Sequence, residues 1–123
     1  PVSCAAALAA LEVLEAQPER VARLRGLAER LNGRLSAAVD GFEPGEPATP
    51  IIPVVVGEAA GAVALQDRLL EEGFLVPAIR PPSVRRGEAR LRISLSAAHT
   101  PEQVDALAAA IGRHVREMRD EVR

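Results

Sequence analysis

Residues 89–103 read Ala-Arg-Leu-Arg-Ile-Ser-Leu-Ser-Ala-Ala-His-Thr-Pro-Glu-Gln, and the period of the chain changes within them. Ala89, Leu91, Ile93 and Leu95 alternate with Arg90, Arg92 and Ser94, the two-residue repeat of a strand with one apolar and one polar face. Thr100-Pro101-Glu102-Gln103 then spells a helix start. Thr100 caps the first turn, Pro101 suits the first helical position, and Gln103 reaches back to the Thr100 backbone. The helix that follows is predicted to run to about Glu121, with Val104, Leu107, Ala108, Ile111, Val115 and Met118 on its inner stripe. A strand with one dry face, leading directly into an amphipathic helix, predicts helices laid against a small sheet.

The rest of the chain extends this pattern toward the N-terminus. Phe74 to Val76 predicts a brief strand stopped by Pro77, and Arg80-Pro81-Pro82 a stiff extended loop. A helix opens within Gly57 to Gly61, carries Val63, Leu65, Leu69 and Leu70, and ends at Gly73, which suits a left-handed cap. Ile51 to Val56 is a β-branched run that favours a buried strand, with Pro53 forced to an edge or a bulge. Asp40 to Pro50, rich in Gly, Pro and Glu, reads as a loop.

Residues 18–39 form a helix with Val21, Leu24, Leu27, Ala28, Leu31, Leu35 and Val39 on one stripe. Arg20, Arg23, Arg30 and Arg34 lie on the other side, a solvated face with Glu19 and Glu29 as local partners. Residues 3–16 are Ala- and Leu-rich with few polar positions, so this helix is expected to pack on most of its sides in a longer protein and to be poorly satisfied in isolation, which would favour self-association. The fold class is therefore α+β, with helices packed on a small, mainly antiparallel sheet.

Composition bounds the function. The 123 residues amount to one domain, and the core must be built from Ala, Val, Leu and Ile, because only Phe42 and Phe74 are aromatic. A net charge of -2 and the lack of stacking aromatics argue against nucleic acid as a partner. No run approaches the roughly 18 apolar residues of a membrane span, and no signal peptide is visible. The first residue is Pro1 rather than Met, so the expectation is a cytoplasmic domain cut from a longer protein. Cys4 is alone, which excludes an intrachain disulfide; its alanine neighbours predict a small buried hydrophobe. All 15 positions counted as Lys or Arg are arginine, and the chain has no lysine.

Arg90 and Arg92 project from the same face of their strand, and each guanidinium can grip a carboxylate through two parallel bonds. The Pro-Pro loop can hold Arg80 and Ser83 near that strand at low entropic cost, making a preorganised wall of donors. Spacing alone is equally that of ordinary surface charges. His99, next to the Thr100 cap, is read as part of the helix entrance, and His114, among Arg113, Arg116 and Glu117, as a surface residue. Two isolated histidines give no metal site. No Walker loop, dinucleotide fingerprint or nucleophile elbow is present.

The segment Ala78-Ile79-Arg80-Pro81-Pro82-Ser83-Val84, with Ala89-Arg90-Leu91-Arg92 and Ala97-Ala98-His99-Thr100, resembles the C-terminal signature of the α-oxoamine synthases. These are fold-type-I enzymes that use pyridoxal 5'-phosphate. The match is strong from Gly73 to Thr100 and fair from Ile51 onward; the two N-terminal helices agree in pattern rather than in distinctive residues. The resemblance implies a C-terminal small domain over residues 40–123. Residues 1–39 would be the helical connection to a large cofactor-binding domain that the chain lacks. Arg92 would anchor the carboxylate of the amino-acid substrate. Ser83 would stand where the family usually has threonine after the two prolines, a substrate-binding position whose hydroxyl it keeps, and Arg90 would be structural.

Arg85-Arg86 departs from the family pattern and is read as exposed loop charge, with the phosphates of a coenzyme A substrate as the alternative. The Pro-Pro pattern favours the branch that condenses L-alanine with pimeloyl-CoA, or its carrier-protein thioester, with decarboxylation, in biotin synthesis. A glycine C-acetyltransferase, another α-oxoamine synthase, and a stand-alone carboxylate-binding module without catalysis are the alternatives. The resemblance further implies a homodimer, with no nucleic acid or membrane partner. Such a cofactor is held covalently through a lysine amine, so no catalytic, cofactor-binding or metal-ligating residue is assigned here. The chain is expected to be inactive alone.

Overall fold

The computed structural model of the protein describes residues 1–46 and 49–123. Its sheet has three strands, β1 (Ile51–Gly57), β2 (Ala78–Ile79) and β3 (Ala89–Ser94), in the order β1-β3-β2 with both pairings antiparallel. The strand with the cleanest alternation is thus the central one. Arg92 donates its backbone N–H to the Pro77 carbonyl at 3.0 Å, on the β2 side. Its pairing with Pro53 across the other ladder is therefore a non-hydrogen-bonded one, and the nitrogen of Pro53 faces the open edge of β1. Proline at an edge is what the sequence requires. The ladder slips between Val55 and Gly57, where Gly57 adopts a φ of +101° open to glycine.

The apolar face of the sheet is covered by α2 (Glu19–Ala38), α3 (Ala59–Glu71) and α4 (Pro101–Val122). Ile52 and Val54 of β1 and Ala89, Leu91 and Ile93 of β3 are buried there. Leu31 and Leu35 of α2 and Ile111 of α4 are fully buried in the same core. α2 and α4 approach so closely that a Cβ on Gly112 would lie 2.7 Å from Cβ of Ala38 and 2.9 Å from its carbonyl oxygen.

Local chemistry sets the ends of the elements as expected. Thr100 Oγ1 accepts the Gln103 N–H at 3.2 Å while Gln103 Oε1 accepts the Thr100 N–H at 3.0 Å, closing the capping box. Gly73, at φ +91°, ends α3 in a Schellman turn, with Phe74 N–H on the Leu69 carbonyl and Gly73 N–H on that of Leu70, both at 2.9 Å.

Several expectations are corrected. Phe74–Val76 is not a strand; the chain joins the ladder only at Pro77, and β2 is the two residues that follow. α1 (Val2–Ala16) buries no residue, because among the described residues no other element covers it. Cys4 is consequently exposed rather than buried.

A candidate anion-binding face

The face of the sheet turned away from the helices carries Arg90 and Arg92, side by side on β3. The register places Pro53 and Pro77 on either side of Arg92, and Val55 and Ile79 on either side of Arg90. Two guanidinium groups thus stand in an apolar frame.

The two arginines differ in their engagements. Arg90 is half-buried, donates from Nε to the Glu88 carbonyl at 3.0 Å, and lies 3.5 Å from the Glu88 carboxylate. Its side chain is already committed within the chain, which agrees with its structural reading. Arg92 is exposed, and among the described residues its guanidinium has neither a hydrogen-bond nor an ion-pair partner. A free fork at the centre of such a face can take a carboxylate through both arms.

Arg80 and Ser83 belong to the β2–β3 connection. Ser83 N–H donates to the Arg80 carbonyl at 3.0 Å, and Glu88 N–H to the Arg85 carbonyl at 3.1 Å, so two successive turns shape the loop. Since Ile79 pairs with Arg90, Arg80 stands level with Ala89, whereas Arg92 stands level with Pro77. Three strand residues, about 10 Å of rise, separate the two levels. The structure therefore sets Arg90 and Arg92 on the sheet face, and Arg80 and Ser83 at the hairpin tip. One contributor escaped the sequence reading. Gln66 of α3 accepts the Ala78 N–H at 2.8 Å on Oε1 and ties the start of β2 to the helix layer. No periodicity marks that residue, because its partner is a backbone group.

Several other charged groups are engaged within the chain. Arg20, Arg23, Arg30 and Arg34 are all exposed, as a solvated face requires, but the partner of Arg30 and Arg34 is Asp105 on α4 rather than Glu19 or Glu29, with Arg30 in a fork of two bonds of 2.7 Å. His114 is not on the surface. It is 9 % exposed, with Nε2 2.6 Å from Glu72 Oε1 and Nδ1 3.1 Å from Glu117 Oε2. His99 Nδ1 accepts the Ser96 N–H at 2.9 Å, and its carbonyl accepts from Arg23, so it serves the helix entrance.

Hydrogen bonds from Arg113 and then His114 hold the Glu72 carboxyl below its ordinary pKa, and the fork of Arg30 does the same for Asp105. A carboxyl depressed in the folded state adds stability above its unfolded pKa and loses it as pH falls through the folded value. The urea midpoint is therefore expected to drop between pH 7 and pH 3. The Glu72→Gln/Asp105→Asn variant should have a lower midpoint at pH 7 and a shallower decline. Parallel declines in the two proteins would contradict the assignment.

Residues 1–111 match the family model described as aminotransferase class I and II. The chain belongs to that family. It is 52% identical over 111 residues to the 8-amino-7-oxononanoate synthase of Methylobacterium nodulans, a span of 90% of this chain and 27% of the relative. It is 50% identical, again over 111 residues, to the same enzyme of Anaeromyxobacter dehalogenans, spanning 90% of this chain and 28% of that one. The chain thus spans little more than a quarter of these curated relatives.

Solved members of the family share the fold. An 8-amino-7-oxononanoate synthase from Francisella tularensis superposes with a TM-score of 0.76 at 28% identity, covering 92% of this chain and 32% of its own. A serine palmitoyltransferase from S. paucimobilis, solved with bound pyridoxal phosphate and myriocin, gives 0.76 at 30% identity, covering 86% and 27%. The expected fold is confirmed: a small antiparallel sheet with four helices, shared with pyridoxal-phosphate transferases of fold type I.

Proposed function

We propose that this chain is the substrate-clamping C-terminal domain of a pyridoxal-phosphate-dependent acyltransferase of biotin synthesis. The enzyme condenses L-alanine with pimeloyl-CoA, or its carrier-protein thioester, with loss of carbon dioxide. Residues 40–123 form the clamping domain and residues 1–39 the connection to a cofactor domain. The whole protein works as a cytoplasmic homodimer. Arg92 carries this reading: it is the unpartnered guanidinium on the open sheet face, within the Ala-Arg-Leu-Arg strand. About 50% identity to enzymes named for this reaction supports it.

The cofactor supplies an electron sink for the carbanion left by decarboxylation. Covalent attachment of pyridoxal phosphate does not fit the residues present, since the chain contains no lysine, and falls to the cofactor domain. The part played by this chain is positional. Arg92 receives the amino-acid carboxylate and fixes the direction of the bonds at Cα, and Ser83 offers a hydroxyl donor from the hairpin tip.

The test is the protein encoded by the complete reading frame, supplied with pyridoxal phosphate. It is expected to release carbon dioxide from L-alanine when pimeloyl thioester is present, and the 123-residue chain to release none. Turnover of glycine or serine with another thioester would move the protein to a different member of the class. A frame without a lysine-bearing cofactor domain, together with saturable carboxylate binding by the present chain, would overturn the enzyme reading in favour of a binding module.

A further inference from the structure

The partners of the arginines single out the β2–β3 connection. Most arginines in the fold donate to a carboxylate, an amide or a backbone carbonyl. Among the described residues, those whose side chains have no such partner are Arg25, Arg80, Arg85, Arg86, Arg92 and Arg123. Four of these six lie within 13 residues of a 123-residue chain whose net charge is -2. Between Gly73 and Pro101 the one carboxylate is Glu88, and Arg90 occupies it. Arg85 and Arg86 are exposed loop charge, as expected, and among the described residues this positive charge is not neutralised from within the chain.

Resting on the acyltransferase reading, we propose that Arg80, Arg85 and Arg86 bind the phosphate groups of a coenzyme A thioester, the acyl donor of the reaction. Arginine forks match phosphate oxygens in pairs. The two backbone turns, and Gly87 at φ +81°, fold the three arginine-bearing positions into one short tip. Gln66 secures the base of that hairpin through the Ala78 N–H.

Two observations favour a small polyanion over an acidic carrier protein. A stable protein interface buries about 800 Å² per partner around apolar or aromatic anchors. The chain has no aromatic residue after Phe74, and Arg85, Arg86 and Gly87 at the tip are all exposed. The arm of a carrier protein also brings a single phosphate, whereas coenzyme A brings three. The tip lies about 10 Å of strand from the level of Arg92, within the span of an extended pantetheine arm. The acyl group can therefore approach the amino acid while its phosphates stay at the tip.

The 123-residue chain itself can be tested by titration with coenzyme A, dephospho-coenzyme A and pantetheine, following the arginine Nε–H resonances at low and high salt. Shifts are expected at Arg80, Arg85 and Arg86, with affinity falling as phosphates are removed and as salt rises. The Arg85→Gln/Arg86→Gln variant should bind coenzyme A about tenfold more weakly with its far-UV circular dichroism unchanged, and Arg92→Gln should bind as the parent does. Equal affinity for pantetheine and coenzyme A would overturn the site, as would undiminished binding by the double variant. So would an acyl carrier protein that shifts the same resonances at lower concentration than coenzyme A. Coenzyme A binding at the tip with no transferase activity in the longer protein would refute the enzyme reading instead. Full activity with an unchanged KM for thioester in the double variant would refute only the tip site.

Discussion

Leu91→Ala is expected to destabilise the fold by about 2–5 kcal/mol and to lower the melting temperature by about 8–20 °C. Leu91 is 0 % exposed at the middle of the central strand, opposite Val54 on one side and Ala78 on the other. Its side chain projects into the layer that α2, α3 and α4 cover. Truncation removes the transfer free energy of the lost methyl groups and leaves a cavity whose size depends on how far the helices can settle. Settling is restricted, because α2 and α4 already touch through backbone at Ala38 and Gly112. Arg92→Gln, one residue along the same strand but on the open face, is the internal control and should change stability by about 0.5 kcal/mol or less. Thermal melts of the two variants decide the matter. If both melt like the parent, Leu91 is not the centre of the core.

The same strand shows how far sequence can be read. The alternation of residues 89–95 assigned the buried and open faces correctly, because a two-residue period is a local property of extended backbone. The capping box at Thr100, the left-handed end at Gly73 and the edge position of Pro53 were legible for the same reason, each being fixed by local backbone chemistry. β2 was not, because Ala78–Ile79 is held between prolines and is a strand only through its pairing with β3.

Partnerships across long sequence separations were equally hidden. Asp105 takes Arg30 from 75 residues away, and Glu72 takes His114 from 42, so a helical wheel places these charges on the outside of a helix without showing which partner each one meets. The site is legible to the same limit. That Arg90 and Arg92 share a face follows from period. That Arg90 is occupied, Arg92 free, and both framed by Pro53, Val55, Pro77 and Ile79 follows only from register. In α1 the signal was an apolar composition without a clear stripe; it describes what the helix can bury, and among the described residues nothing covers it.

In the complete transferase, Arg92→Gln is expected to lower kcat/KM for the amino acid by two to three powers of ten. In the proposed role the fork would make two charge-assisted bonds to one carboxylate, together worth about 3–4 kcal/mol when the site is closed to water, and each 1.4 kcal/mol is a factor of ten. The loss should appear chiefly as a raised KM for the amino acid, with a smaller fall in kcat from imperfect orientation at Cα. The KM for the thioester should hardly move. Arg92→Lys should recover about a tenth of the parent activity or less, since an ammonium keeps the charge but contacts one oxygen at a time and does not fix the carboxylate plane. The free guanidinium matters to this expectation. Because Arg92 has no partner among the described residues, its replacement strands no buried acceptor there, and the variant should fold and melt as the parent does. A kinetic defect with unchanged stability would then mark loss of a ligand contact. Retention of parent kcat/KM in Arg92→Gln would remove the carboxylate anchor from the proposal while leaving the family assignment untouched.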